Sequence, residues 1–177
     1  MKNKIWVFAY GSLIWNNEQF EPLDTISSKL IGAHRSFNKK SVKSRGTRDK
    51  PGLALGLEYG AECVGKAILI YESYLPKLKR REGGYLPIET PNESLKVLDN
   101  EGETMNCLVF LPDSSGKNYL NKDVTIKEKA KTIKEGEQGD NGNARDYLKD
   151  TYDFLKKYKI EDENINDLYD LVFDLQN

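Results

Sequence analysis

Four short segments carry the side chains that could do chemistry. Phe8-Ala9-Tyr10-Gly11-Ser12-Leu13-Ile14 closes a continuous apolar run, Ile5-Trp6-Val7-Phe8, with a Tyr-Gly-Ser turn. Glycine at such an exit lets successive backbone N–H groups converge on one spot, which makes an anion-binding nest. Gly and Ser are also common turn formers, so an ordinary turn is the alternative reading. The second segment, Ser44-Arg45-Gly46-Thr47-Arg48-Asp49-Lys50-Pro51-Gly52, sets two arginines in a glycine-bearing polar loop. A guanidinium is a planar fork that matches two carboxylate oxygens; a solvated hairpin loop is the alternative. The third, Lys79-Arg80-Arg81-Glu82-Gly83-Gly84-Tyr85-Leu86-Pro87, places a lone carboxylate between basic residues and a Gly pair, with a tyrosine hydroxyl behind it. The same letters fit a charged helix end stopped by glycine. In the fourth, Asn143-Ala144-Arg145-Asp146-Tyr147, the asparagine suits a helix N-cap. Tyr147 faces the core there, with a hydroxyl that could reach an inward site.

What is scarce narrows the chemistry further. The chain has one histidine and two cysteines. Zinc sites draw on several His or Cys ligands, and a Ser-His-Asp or Cys-His hydrolase would have to use His34 as its base. His34 lies in the strand-like Leu30-Ile31-Gly32-Ala33-His34-Arg35-Ser36-Phe37 and is read as structural. A carboxylate is therefore the expected catalytic group, with no metal. Cys63 and Cys107 are far apart in apolar, strand-like surroundings, as reduced core residues of a cytoplasmic protein would be.

The elements that must position these groups follow from periodicity. Strand-like segments run over Lys4 to Tyr10, Lys29 to Phe37, Leu53 to Tyr59, Cys63 to Tyr71, Ser94 to Leu98 and Met105 to Leu111. Turn signals separate them at Lys50-Pro51-Gly52, Tyr59-Gly60, Pro91-Asn92 and Asp99-Asn100-Glu101-Gly102. The first strand lacks polar alternation and is expected to be buried on both faces. Leu75 to Arg81 has room for one or two helical turns. From Val124 the period becomes helical: one helix opens at Asn143, with Tyr147, Leu148, Tyr152, Leu155 and Tyr158 on one side. A last helix starts near Asn164, with Ile165, Leu168, Tyr169, Val172 and Leu175 on its stripe. Strands first and helices last predict an α+β fold, a small mixed, barrel-like curved sheet with helices packed outside.

The totals bound the partners. At 177 residues the chain fits a single domain over 1–177, and its 38% hydrophobic and 31% charged content is that of a globular protein. A net charge of -1 advertises neither a nucleic acid nor a membrane surface. No apolar run approaches the ~20 residues that span a bilayer. The basic start, Met1-Lys2-Asn3-Lys4, precedes an apolar stretch too short for a signal peptide.

Taken in order, the segments resemble the ChaC-like branch of the γ-glutamylcyclotransferases. The likeness rests on Trp6-Val7-Phe8-Ala9-Tyr10-Gly11-Ser12-Leu13-Ile14-Trp15, then Arg45-Gly46-Thr47 with Pro51-Gly52-Leu53. It continues in Arg80-Arg81-Glu82 with Gly84-Tyr85-Leu86-Pro87, and in Asn143-Ala144 with Tyr147-Leu148. Weaker similarity runs between these motifs, so nearly the whole chain is covered. The chain departs from the usual pattern in the short Gly83-Gly84 link and the short Tyr71 to Arg81 segment, both of which border the proposed site.

The resemblance implies a cofactor-free reaction on a small-molecule γ-glutamyl substrate. The substrate's own α-amine attacks its γ-carbonyl, releasing 5-oxoproline and an amine; in the ChaC-like branch the substrate is glutathione and the released part is cysteinylglycine. Other γ-glutamyl amino acids or amines, and a non-catalytic carboxylate-binding domain of the same fold, are the alternatives. Such a reaction needs a folded substrate, a base for the α-ammonium and donors for the developing oxyanion. Glu82 is the expected base. The amides of Gly11, Ser12 and Leu13 are expected to bind the substrate's carboxylate or carbonyl oxygen. Tyr10, Tyr85 and Tyr147 are expected as hydrogen-bond donors at the rim, and Arg45 as a carboxylate partner. A free glutamate titrates near pH ~4.3 and an α-amine near ~8. A guanidinium beside the base would widen that gap. The expectation is therefore that Arg80 and Arg81 both point away from Glu82, and that Glu82 sits in a mostly enclosed pocket.

Overall fold

Val7, Phe8 and Ala9 are all buried, and consecutive strand residues point to opposite faces, so the first strand is covered on both sides as expected. The structure, a computed structural model, describes residues 2–175. Its packing divides the chain into two compact units, Met1–His34 with Glu58–Asp113 and Arg35–Leu57 with Ser114–Asn177.

In the first unit, β1 (Lys4–Ala9) runs antiparallel to β3 (Gly52–Tyr71), with Lys4 opposite Tyr71 and Ala9 opposite Lys66. On its other side β1 runs parallel to β7 (Cys107–Pro112), with Phe8 opposite Val109. Both of its edges are thus hydrogen-bonded, while burial of both its faces at Val7, Phe8 and Ala9 explains the unbroken apolar sequence. All six residues of β7 are buried. Beyond β7 lies β4 (Tyr85–Thr90), antiparallel from Tyr85 opposite Pro112 to Thr90 opposite Cys107. β2 (Asp24–Ser41) lies beside β3, followed by the short β5 (Lys96–Leu98) and β6 (Thr104–Met105), so the strand order is β4-β7-β1-β3-β2-β5-β6. A seven-residue helix, α1 (Leu75–Arg81), leads into β4.

Two strand expectations change. Leu53 to Tyr59 and Cys63 to Tyr71 form the single strand β3, because Gly60 and Ala61 take left-handed φ of 111° and 50° that bend the strand without ending it. The carbonyl of Gly60 meets His34 Nδ1 at 3.1 Å, which gives the one histidine a contact within the sheet. β4 was not anticipated, since Pro87 sits in its middle; a proline is tolerated there because β4 is the first strand of the order and has a neighbour on one side only.

The second unit holds the remaining residues of β2 and β3 and three helices, α2 (Ile126–Glu135), α3 (Ala144–Lys157) and α4 (Glu163–Phe173). Each helix begins at a side-chain cap. Thr125 and Glu128 form a reciprocal capping box on α2, Asn143 Oδ1 accepts from Asp146 N–H at 2.7 Å on α3, and Asp162 Oδ1 accepts from Ile165 N–H at 3.2 Å on α4. α2 packs on α3 and α4, and α3 on α4. The expected stripes are the buried ones for Tyr147, Leu148 and Leu155 on α3 and Ile165, Leu168 and Val172 on α4. Tyr158 and Leu175 are exposed, because each lies just past the end of its helix. Tyr152 and Tyr169 stack at 3.8 Å between centroids. Arg35, fully buried, pairs with Asp162 at 3.3 Å. The chain is of the mixed α+β class predicted.

Candidate active site

β1 ends at Ala9, and the chain turns at once into a single 3-10 turn, Ser12–Ile14. Its first ladder bond runs from Ile14 N–H to Gly11 O at 2.9 Å, so the amides of Ser12 and Leu13 come before the ladder and are not consumed by it. Leu13 and Ile14 are buried and anchor the turn beneath. Tyr10 is buried, and its hydroxyl donates to Phe110 O at 2.8 Å. That proton is therefore spent on the β7 backbone and is not the donor to a ligand that was expected.

Glu82 is brought to the same region by α1 and β4. It stands at the C-terminal cap of α1, where its N–H reaches Leu78 O at 2.9 Å and its carbonyl accepts from Tyr85 N–H at 2.9 Å. Gly84 takes a φ of +83°, a turn conformation that side chains strain to adopt, and redirects the chain into β4. Its carbonyl accepts from Asp113 N–H at 3.2 Å, just past the end of β7. Because β4 pairs with β7 and β7 with β1, this turn is delivered beside the end of the first strand. Tyr85 is half-buried at the start of β4.

The expectation that both arginines turn away from Glu82 fails for Arg81. Its Nη1 donates to Glu82 Oε1, and its Nη2 donates to Ser12 Oγ at 3.1 Å. Both side chains are largely withdrawn from water, at 19% and 17% exposed for Arg81 and Glu82. A carboxylate at that depth needs a cationic or hydrogen-bonding partner, and that requirement outweighs the cost to basicity. Arg80 is exposed. Thus one unit gathers Tyr10, Gly11, Ser12, Leu13, Glu82 and Tyr85, and Arg81 joins the acid directly to the turn.

Arg45 and Tyr147 form a second cluster, in the other unit. The guanidinium lies over the Tyr147 ring at 4.4 Å from its centroid, and Phe37 packs on the same ring at 5.7 Å. Arg45 Nη1 donates to Asn141 O, and Arg45 N–H to Ser41 Oγ at 2.8 Å. The loop is not merely solvated. Asp140 N–H and Asn141 N–H donate to Lys43 O and Ser44 O at 2.8 and 2.9 Å, and Glu137 pairs with Lys50 at 3.1 Å. That ion pair and the Thr47 hydroxyl hold the Glu137 carboxyl below its ordinary range. Gly52 is required at the loop's end, since a Cβ there would lie 2.0 Å from Arg45 O. Sequence reasoning missed the carbonyls of Phe110 and Asn141 as partners of Tyr10 and Arg45, because backbone groups leave no trace in residue types.

Among the described residues, no group of three or more His, Cys, Asp or Glu is gathered so as to hold a metal ion. No described helix is long and apolar enough to cross a membrane. Both cysteines are buried and free, and burial pushes the Cys107 thiol up to about 12.

In fold, the chain is similar to the crystal structure of a yeast γ-glutamyl cyclotransferase specific to glutathione, with a TM-score of 0.83 at 19% identity over 98% of this chain and 97% of that one. In sequence, it belongs to the ChaC-like protein family, which it matches over residues 5–175. It is 32% identical over 172 residues to a glutathione-specific γ-glutamylcyclotransferase of Escherichia coli (strain K12), covering 93% of this chain and 71% of that one. A γ-glutamylcyclotransferase 2-3 of Arabidopsis thaliana is 31% identical over 174 residues, covering 93% of this chain and 86% of that one.

Proposed function

We propose that this protein is a glutathione-specific γ-glutamylcyclotransferase that cleaves glutathione to 5-oxoproline and cysteinylglycine. The observation that carries the reading is the single guanidinium that touches both Glu82 and Ser12, since it puts the one candidate base beside the amide-bearing turn. The names of its relatives in Escherichia coli and Schizosaccharomyces pombe support glutathione as substrate.

In this scheme the γ-glutamyl carbonyl or α-carboxylate oxygen is held by the Ser12 and Leu13 amides, with Gly11 permitting close approach. Glu82 takes a proton from the α-ammonium, freeing the lone pair that attacks the γ-carbonyl carbon. The five-membered ring closes and negative charge gathers on the carbonyl oxygen, where backbone donors are most effective. Collapse breaks the γ-amide C–N bond as Glu82 returns its proton to the leaving nitrogen; the ring nitrogen gives its second proton to the freed carboxylate, which passes it to the same amine, so both protons lost by the α-ammonium end on the ammonium of cysteinylglycine. Holding the chain folded so that its two ends meet supplies several kcal/mol of the barrier reduction, of the order seen for intramolecular reactions. Tyr85 and Tyr10 are assigned to substrate binding, and Arg45 with Tyr147 as further binding residues. The partner is a small molecule, neither nucleic acid nor membrane, and two buried free thiols fit a reducing cytoplasm.

The test is chromatographic detection of 5-oxoproline after incubation with glutathione, γ-glutamyl dipeptides and γ-glutamyl-ε-lysine in parallel. Release from glutathione alone is expected. Release only from the other compounds would move the specificity, and tight glutathione binding without release would make the protein a carboxylate-binding domain.

A further inference from the structure

The placement of Arg81 runs against expectation, and its geometry is not a by-product of the helix. Adjacent residues on an α-helix point about 100° apart and do not meet. Here they meet because the helix stops between them: Arg81 is the last residue of α1, and Glu82 leaves the helical range at φ -85° and ψ 33°. The guanidinium then spans from the cap of one element to the first residue of the Ser12–Ile14 turn, 69 residues earlier. Exposed ion pairs contribute little, but this one is four-fifths withdrawn from water on both sides. A planar fork can satisfy two acceptors at a fixed angle, which an ammonium cannot.

We propose that Arg81 is a positioning residue for the cyclisation, holding the Glu82 carboxylate at a set distance from the turn and orienting the Ser12 hydroxyl. The inference rests on the γ-glutamylcyclotransferase reading. Because the Ser12 oxygen accepts from Arg81, its own proton is directed away from the guanidinium and can be donated to an oxygen of the substrate. Arg81 acts on the reaction through these two side chains, by keeping base and donor in one register.

A double-mutant cycle in kcat/KM for glutathione tests this, with thermal unfolding followed for each variant. Arg81→Met is expected to lower kcat/KM about 10²-fold, the penalty for a misplacement near 1 Å. Ser12→Ala is expected to cost about tenfold, as one hydrogen bond would. The double variant should lose no more than Arg81→Met alone, since the bond is already gone. Arg81→Lys keeps the charge without the fork; it should hold the fold even were Arg81→Met to unfold, yet recover little of the rate. Guanidinium ion at non-denaturing concentration should restore part of the rate to Arg81→Met and none to Glu82→Gln. Additive losses in the cycle, or full activity in Arg81→Lys, overturn the positioning role while leaving the proposed function in place. Wild-type protein that releases no 5-oxoproline overturns both.

Discussion

Two arginine–carboxylate pairs, one in each compact unit, show how the same chemistry serves different ends. Arg35 and Asp162 lie 127 residues apart in sequence and are sealed at 0% and 9% exposed. Asp162 has a second task there, capping α4 through Ile165 N–H. Arg81 and Glu82 are neighbours in sequence, are partly open at 19% and 17%, and share their cation with a serine on a turn. The sealed pair joins a strand to the start of a helix. The open pair stands where two elements end, with unconsumed backbone amides alongside. Depth and company, not residue type, separate a fastening from a candidate base.

This contrast can be broken or sharpened by measurement. Glu82→Gln keeps the shape of the open pair and removes the base, and should lower turnover of glutathione by about 10²- to 10⁴-fold. Thermal unfolding of that variant should stay close to that of the parent. Near-parental release of 5-oxoproline would show that the acid is another residue. Asp162→Ala should do the reverse, destabilising the fold by about 3 kcal/mol by taking a carboxylate from a buried cation and the cap from α4. Denaturant titration would read this loss, and the folded fraction should keep the parental kcat/KM. Asn143→Ala removes a cap in the same helical region and should cost about 1 kcal/mol, again without a kinetic signature. The smallest effect concerns Cys107. With its thiol pushed up to about 12 by burial, it is protonated and unreactive at pH 8, and its thiolate fraction grows only as pH rises toward that value. Alkylation monitored by mass spectrometry should be slow in native protein and fast in denaturant; rapid native labelling would show that β7 is less enclosed than described.

Much of this arrangement was legible in residue types. The unbroken apolar run predicted a doubly covered β1, and Gly11-Ser12 marked its exit. Asn143, followed by apolar residues at helical spacing, placed the start of α3. The misses share a cause, namely that tertiary pairing overrides local signals. Pro87 argues against a strand unless the strand has a neighbour on one side only, and no local pattern reveals which strands are outermost. Tyr59-Gly60 reads as a turn, yet β3 continues through it because its partners extend on both sides of the bend. The orientation of Arg81 was hidden because it depends on where α1 stops, and helix boundaries are poorly fixed by composition.

The position of Pro87 has a further consequence for handling the protein. A margin strand with unpaired amide groups can recruit a second chain, and Leu86, 48% exposed beside it, would add apolar adhesion. The imide nitrogen of Pro87 has no hydrogen to give, so β4 carries one ladder donor fewer than a strand of its length would. The same residue that disguised β4 in the sequence thus thins the hydrogen-bonding capacity of the strand it sits in.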